Sequence, residues 1–367
     1  MKKVRYAVVG LGHIAQTAAL PGLKNARRNS QLTALVSDDP VKLKKLSKQY
    51  KVPSTYSHDE FEACLKSGLV DAVYIATPNT HHRRFAEIAV EHGVHVLCEK
   101  PLAASSADCE AMIAAARRHK VKLMTAYRLH FDAANLRASQ LAHSGKLGEL
   151  RYFNSIFSYQ ITDEDNIRLQ KDKAGGPLYD IGIYCLNAAR SLFRAEPTEV
   201  FAFSTRKKGD SRFSEVEEMV SAVMKFPDER LASFTCSFGS APRSRYDLVG
   251  TKGSLQLDNS YEYAESMKMD VVINEKSKKS SYAKKDQFGP EFAYFSDCIL
   301  KNREPEPSGT EGLADLRVIE ALFTSMKEGR AVKVSAAKKG KYPHPRQKIR
   351  MPAVREPSKV HVTSPSS

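Results

Sequence analysis

Glu99-Lys100-Pro101 closes a short apolar run, Val94-His95-Val96-Leu97-Cys98. A charged pair fixed by proline is poor packing material at the end of a buried strand. It is well suited to holding an ammonium group at the carboxyl edge of a parallel sheet, where open α/β sheets bind ligands. A second set lies in Ala174-Gly175-Gly176-Pro177-Leu178-Tyr179-Asp180-Ile181-Gly182-Ile183-Tyr184. Pro177 suits the first helical position after a glycine turn. Asp180 and Tyr184 are four apart and share a helix face, with Asn187 close to it. A carboxylate beside a phenol can bind hydroxyl groups and position a proton acceptor. A phenol titrates near about 10 and needs a neighbouring cation to act as a base at neutrality. Lys100 is the candidate cation. The competing interpretation is structural: an ion-pair lysine, a first-turn acid on a helix dipole and a core tyrosine.

Gly10-x-Gly12-x-x-Ala15, with His13 and Ile14 inside it, follows a first apolar strand and opens a helix. This is the context of a dinucleotide-binding turn. Gly10 permits the turn, Gly12 lets the backbone approach a pyrophosphate, and Ala15 lets the helix pack closely. The helix N-terminus then offers free N–H groups to the phosphates. An NAD site usually has an acid at the end of the second strand. Here Ser37 stands there, followed by Asp38 and Asp39, with Lys42 and Lys44 close behind. Ser37 with Lys42 or Lys44 suits a 2′-phosphate, while Asp38 turned inward would serve NAD; the missing acid at Ser37 makes NADP expected in preference to NAD. Thr77-Pro78-Asn79-Thr80-His81-His82 follows another apolar strand, and Thr77, Pro78, Asn79 and His82 are assigned to the cofactor edge. Neither histidine is assigned as a metal ligand, because no ligand set accompanies it.

The elements that must position these groups alternate. Strands are expected at residues 4–9, 32–36, 71–76, 94–98 and 122–126, and helices from the turn to about residue 28, at 41–50, 83–92 and 107–119. Such alternation predicts a parallel sheet covered on both faces. From about residue 150 longer, partly alternating runs at 151–159, 199–205, 216–226, 231–238 and 246–249 predict a mostly antiparallel sheet with one open face. Helices are expected at 179–193, 288–301 and 311–328. The fold class is therefore α/β: residues 1–128 form a dinucleotide-binding domain and residues 129–335 a substrate and oligomerisation domain. Residues 336–367 are a basic, proline-rich tail, extended or disordered.

The 367 residues suffice for two cores. No stretch reaches the about 18 apolar residues of a membrane span. Met1-Lys2-Lys3-Val4 runs into the first strand without a signal-peptide pattern, so a cytoplasmic protein is expected. The 6 cysteines are scattered and suggest neither a disulfide framework nor a zinc site. The net charge is +15, yet residues 331–367 hold nine Lys/Arg against one acid, so about half the excess lies in the tail. This argues against nucleic acid as a partner, while a basic body suits an acidic small ligand.

The fingerprint, Glu99-Lys100-Pro101 and the Gly-Gly…Asp-Ile-Gly-Ile-Tyr segment, in that order, resemble the Gfo/Idh/MocA family of oxidoreductases, in particular its glucose–fructose oxidoreductase branch. The resemblance spans roughly residues 4–330. It implies a Rossmann domain, then an α/β domain whose open sheet mediates a homodimer or homotetramer. It also implies hydride transfer between tightly held nicotinamide and a carbon of a pyranose sugar. Lys100, preceded by Glu99, matches the motif lysine beside the nicotinamide and the reacting oxygen. Asp180 matches the acid that contacts substrate. Tyr184 stands where many relatives have histidine and would accept the proton. Tyr127-Arg128 matches a segment bordering the nicotinamide pocket, and the Lys100–Pro101 peptide is expected to be cis. Exported members of the branch carry a long leader and arm. Because this chain starts at the fingerprint, neither export nor that arm is expected. The rival function is a non-catalytic sensor of NAD(P) or sugar with the same fold. Substrate selectivity is expected in loops such as residues 162–174, and any sugar stacking must use Tyr or Phe, since there are 0 tryptophans.

Overall fold

β1 (Val4–Val9) is buried at every position except Arg5, as a parallel strand covered on both faces must be. It lies at the centre of a parallel sheet with β2 (Ser30–Val36), β3 (Ser54–Tyr56), β4 (Ala72–Ile75), β5 (His95–Glu99) and β6 (Leu123–Ala126). The computed structural model describes residues 2–335, 337 and 341–364. The strand order is β3-β2-β1-β4-β5-β6. Strand order reverses between β1 and β4, which is where doubly wound sheets bind ligands. Gly10 follows β1 and Thr77 follows β4, so both loops open at that switch point. The helix after β1 is α-helical at His13 and Ile14, passes through a π turn, Ala15–Ala19, and continues as α-helix over Leu20–Asn25, ending before the expected end near residue 28. β3 and the helix Phe61–Lys66 were not expected from the sequence; Ser54-Thr55-Tyr56 carries no apolar run to announce a strand.

The second sheet holds β7 (Leu150–Gln160), β8 (Glu199–Thr205), β9 (Met219–Phe226), β10 (Arg230–Ser237), β11 (Gly239–Gly250), β12 (Gly253–Asp258), β13 (Met267–Ile273), β14 (Lys276–Tyr282) and β15 (Val332–Lys333). Its order is β14-β13-β12-β11-β7-β10-β9-β8-β15, and only the β7–β10 pairing is parallel. β9 alternates buried and outward-facing residues, as a sheet with one open face requires. That face exposes Tyr152, Phe203, Val223 and Leu231. β12 to β15 went unread in the sequence. β14, Lys276-Ser277-Lys278-Lys279-Ser280-Ser281-Tyr282, has no apolar face because it is an exposed edge, and its lysines discourage further pairing. Positive φ at both Asn274 and Glu275 makes the two-residue turn that joins it to β13.

The chain does not divide linearly. One unit comprises Met1–Phe131, Lys285–Gly312 and Ile349–Ser364, the other Asp132–Lys284 and Leu313–Lys348. The expected assignment of residues 285–312 to the second domain is corrected by packing. The helix Gly289–Leu300 seats Phe292 edge-on against Tyr6 of β1, with ring centroids 5.3 Å apart. Ser296 Oγ lies 2.8 Å from both Tyr6 OH and Ser30 Oγ. In the tail, residues 336, 338–340 and 365–367 lie outside the described residues. The segment 349–364, irregular in backbone, lies on the first unit rather than apart from it. No helix among the described residues is long and apolar enough to cross a membrane.

Candidate active site

The turn after β1 is built for a close-lying ligand. Gly10 has φ +88°, its N–H donates to Val36 O at 3.0 Å, and a Cβ there would lie 2.6 Å from Ala76 O. A Cβ on Gly12 would meet nothing within 4 Å, so the backbone faces open space. His13 and Ile14 are partly exposed on the same turn, and Ala15 is fully buried against the sheet. Thr77, across the switch point, has a hydroxyl without a hydrogen-bond partner. A glycine cradle at a helix N-terminus with room above it fits a dinucleotide pyrophosphate. Pro78 and Asn79 lead into a short 3-10 turn and are partly exposed beside that loop.

At the end of β2 neither acid stands ready for a ribose hydroxyl. Asp38 is bound by His58, whose backbone N–H donates to Oδ1 at 2.8 Å and whose Nδ1 lies 2.7 Å from Oδ2. Asp39 caps the helix Pro40–Tyr50, its Oδ1 accepting from the Val41 and Lys42 N–H groups at 2.9 and 3.0 Å. These backbone donors, led by Lys42, hold its carboxyl below the usual range. Ser37 accepts from the Asp39 N–H at 3.2 Å, and Lys42 Nζ is 3.9 Å from Asp39 Oδ2.

His82 does not line this crevice, a correction to the sequence-based assignment. It is fully buried, with Nδ1 2.9 Å from Pro101 O and Nε2 3.0 Å from Thr77 O. Burial lowers its pKa to about 4, so at neutrality the ring is uncharged and only one nitrogen donates. It braces the loops after β4 and β5 against each other. The Lys100–Pro101 peptide is cis, as the family resemblance implies.

Beneath Lys100, Glu99 accepts a short hydrogen bond from the Tyr74 hydroxyl, and the Lys100 N–H donates to its Oε2 at 3.2 Å. Glu291, wholly buried, has neither carboxyl oxygen hydrogen-bonded. Burial and the Glu99 charge push Glu291 well above the usual carboxylate range, with only Arg128 opposing. Burial raises Glu99 too, but Tyr74, Lys100 and Arg128 all favour its anion. The proton therefore belongs on Glu291, and Glu99 is the anion. Arg128 is buried, with Nη1 donating to Gln287 Oε1 through a short hydrogen bond. Gln287 and Glu291 escaped sequence reasoning because they belong to a segment more than 150 residues from Arg128.

The second unit assembles its own cluster. Gly175 N–H donates to Gln170 O at 3.0 Å and Gly176 N–H to Arg168 O at 2.7 Å, and a Cβ on Gly175 would lie 2.5 Å from Arg168 O. Only glycine lets this turn close on the loop before it. Pro177 then opens a helical segment, a π turn over Leu178–Gly182 followed by the α-helix Ile183–Phe193. The result places Arg168 Nε 2.7 Å and Tyr159 OH 2.8 Å from one oxygen of Asp180. Burial and the Asp180 charge raise the Tyr159 phenol well above 10, so it stays protonated and donates. Among the described residues, the Arg168 side chain hydrogen-bonds through Nε alone, and its two terminal nitrogens sit in a side chain 26% exposed. Tyr184, partly exposed, packs among Phe157 and Tyr261, with centroids 5.8 and 5.9 Å away. Asn187 is not part of this face: it is buried and donates to Asp315 at 2.9 Å. Arg168 and Tyr159 carry no spacing signal in the sequence.

Two family models match, one described as an oxidoreductase family with an NAD-binding Rossmann fold over residues 4–127, the other as the GFO/IDH/MocA C-terminal domain over residues 135–256. The chain belongs to the GFO/IDH/MocA family of oxidoreductases. It is 30% identical over 327 residues to a D-xylose 1-dehydrogenase [NADP(+)] of Haloarcula marismortui, covering 87% of this chain and 90% of that one. The aldose–aldose oxidoreductase of Caulobacter crescentus, complexed with glycerol, superposes with a TM-score of 0.86 at 39% identity, over 91% of this chain and 100% of that one. A 3-ketoreductase from Actinomadura kijaniata, in complex with NADP and TDP-benzene, has a TM-score of 0.80 at 24% identity over 88% of this chain and 98% of its own, which speaks for the fold alone.

Proposed function

We propose that this protein is an NADP-dependent oxidoreductase moving a hydride between nicotinamide and a hydroxyl-bearing carbon of a pyranose sugar. The observation that carries this reading is the near full-length likeness to enzymes named for aldose oxidation, in a chain whose Lys100, Asp180 and Tyr184 are all present. When bound, NADP supplies the carbon that takes or gives the hydride. Gly10, Gly12, His13 and Ile14 hold its pyrophosphate, Ser37 and Lys42 its 2′-phosphate, and Thr77, Pro78 and Asn79 its middle portion. Glu99, Lys100 and Arg128 border its nicotinamide end. Lys100 and Tyr184 share the proton transfer: the Tyr184 phenolate, favoured by the Lys100 ammonium, takes the proton of the reacting hydroxyl as its carbon gives up the hydride, and becomes the phenol. Asp180, aimed by Arg168 and Tyr159, holds a neighbouring sugar hydroxyl.

The test is nicotinamide absorbance during incubation with a panel of aldopyranoses. Lys100→Met and Tyr184→Phe are each expected to lower turnover by about 10²–10⁴-fold while NADP still binds. Normal turnover in both variants on a confirmed substrate would sink the assignment. The protein acts in the cytoplasm as a homodimer or homotetramer formed through the open sheet. The exposed Tyr152, Phe203, Val223 and Leu231 support that reading, since apolar side chains gathered on one open face mark an association surface. Light scattering of Phe203→Lys should report a smaller particle.

A further inference from the structure

The basic tail has no part in the function just described, yet its segment 349–364 is fastened to the dinucleotide-binding unit at defined points. Asn25 Nδ2 donates to Pro352 O at 3.1 Å. Gln16, the residue after Ala15 of the fingerprint, holds the backbone of Val360 from both sides: Nε2 donates to Val360 O at 2.9 Å, and Oε1 accepts from Val360 N–H at 2.8 Å. The Gln16 side chain is 1% exposed, and its Nε2 also donates to Leu11 O at 2.8 Å. A side-chain amide used this way replaces a strand partner, and Val360 is correspondingly buried. The next residue, His361, takes φ +48°, a conformation in which histidine is enriched among non-glycine residues. Its Nδ1 lies 3.0 Å from Asp39 Oδ2.

Asp38 and Asp39 are the two acids that follow β2, and Asp38 is already held by His58, so Asp39 is the other carboxylate to which a ribose 2′-hydroxyl could turn. Its Oδ1 is already committed to two backbone N–H groups. His361 donates to the other oxygen, Oδ2, which also lies 3.9 Å from Lys42 Nζ. The tail thus occupies the remaining carboxylate oxygen of the loop after β2 and brings a histidine ring to the Asp39 carboxylate that Lys42 and Ser37 also border, donors that suit a 2′-phosphate. We propose that the C-terminal segment completes the 2′-phosphate pocket, with His361 as a cofactor-binding residue that masks Asp39 and sets the preference for NADP. This rests on the NADP reading above.

The experiment is calorimetric titration of the full-length protein and its variants with NADP and, separately, NAD. For wild type, NADP is expected to bind more tightly than NAD. His361→Ala is expected to weaken NADP about tenfold, equivalent to about 1.4 kcal/mol, with NAD affinity unchanged or improved. Val360→Pro removes the N–H that Gln16 accepts from and should move both affinities the same way. His361→Lys, which keeps a hydrogen-bond donor on that side chain, should retain most of the preference. If wild type shows no preference for NADP, the cofactor reading itself falls. If wild type prefers NADP and both His361→Ala and Val360→Pro keep its affinity within about twofold, the tail inference is overturned and the cofactor reading stands.

Discussion

Arg168 with Asp180 and Arg190 with Asp315 are both arginine–carboxylate pairs set around the helical segment 178–193. Arg190 and Asp315 are 0% exposed, and their partners are numerous. Arg190 reaches Glu196 through Nε at 2.5 Å and Nη2 at 2.9 Å, and its Nη1 donates to Asp315, which also accepts from Asn187 at 2.9 Å. Arg168 and Asp180 are 26% and 18% exposed, and Arg168 uses only one of its three nitrogens. The first arrangement spends its hydrogen-bonding capacity on the fold. The second leaves donors at a partly open edge, where a hydroxylated ligand can use them. The same chemical pair is structural where it is saturated and dry, and suited to binding where it is neither.

Arg190→Ala should have the largest effect, because it strands Asp315 as a buried, unpaired charge. A loss of about 3–5 kcal/mol is expected, seen as a marked fall in Tm. Asp180→Asn should leave Tm near wild type and lower kcat/KM by about a hundredfold, the range of a charged hydrogen bond lost at the reacting end. Arg168→Ala should follow with a drop of about tenfold to a hundredfold in kcat/KM, again with Tm little changed. If Arg168→Ala lowers Tm as far as Arg190→Ala does, the contrast between the two pairs is broken.

Glu291 sharpens the comparison because it is buried yet unsaturated. Its folded-state pKa is raised above the ordinary 4.5. Its contribution to stability is therefore fully present below about 4.5 and is lost as pH rises through the folded-state value. Glu291→Gln should accordingly flatten the decline of Tm on the alkaline side, with a gain over wild type that grows with pH. A Tm difference independent of pH from 5 to about 8 would show that Glu291 is not the protonated partner of Glu99.

Much of the architecture was legible in the sequence. β1 and β8 fall on the residues their apolar patterns mark, and the fingerprint turn opens beside β1 as its glycines require. What failed to announce itself lacked a periodic apolar signal. β14 is polar throughout because it is an edge, and β3 is only three residues long. Helix Gly289–Leu300 was read as a helix but assigned to the wrong unit, since amphipathicity reveals that a face is buried and not what buries it.

The site divides along the same line. Residue type and local spacing alone determined the dinucleotide turn, the lysine at the end of β5, the acid and tyrosine on one helical segment, and the absence of a ready acid at Ser37. These are features written within a few residues of one another, where backbone geometry translates spacing into position. Only the tertiary structure decided that His82 is a brace, that Glu291 is buried with neither carboxyl oxygen hydrogen-bonded, that Arg168 and Tyr159 aim Asp180, and that the tail returns to Gln16 and Asp39. Each of those joins residues distant in the chain or tests whether a polar atom is buried with its bonds made. Burial and hydrogen-bond satisfaction are properties of the packed chain, and no local pattern encodes them.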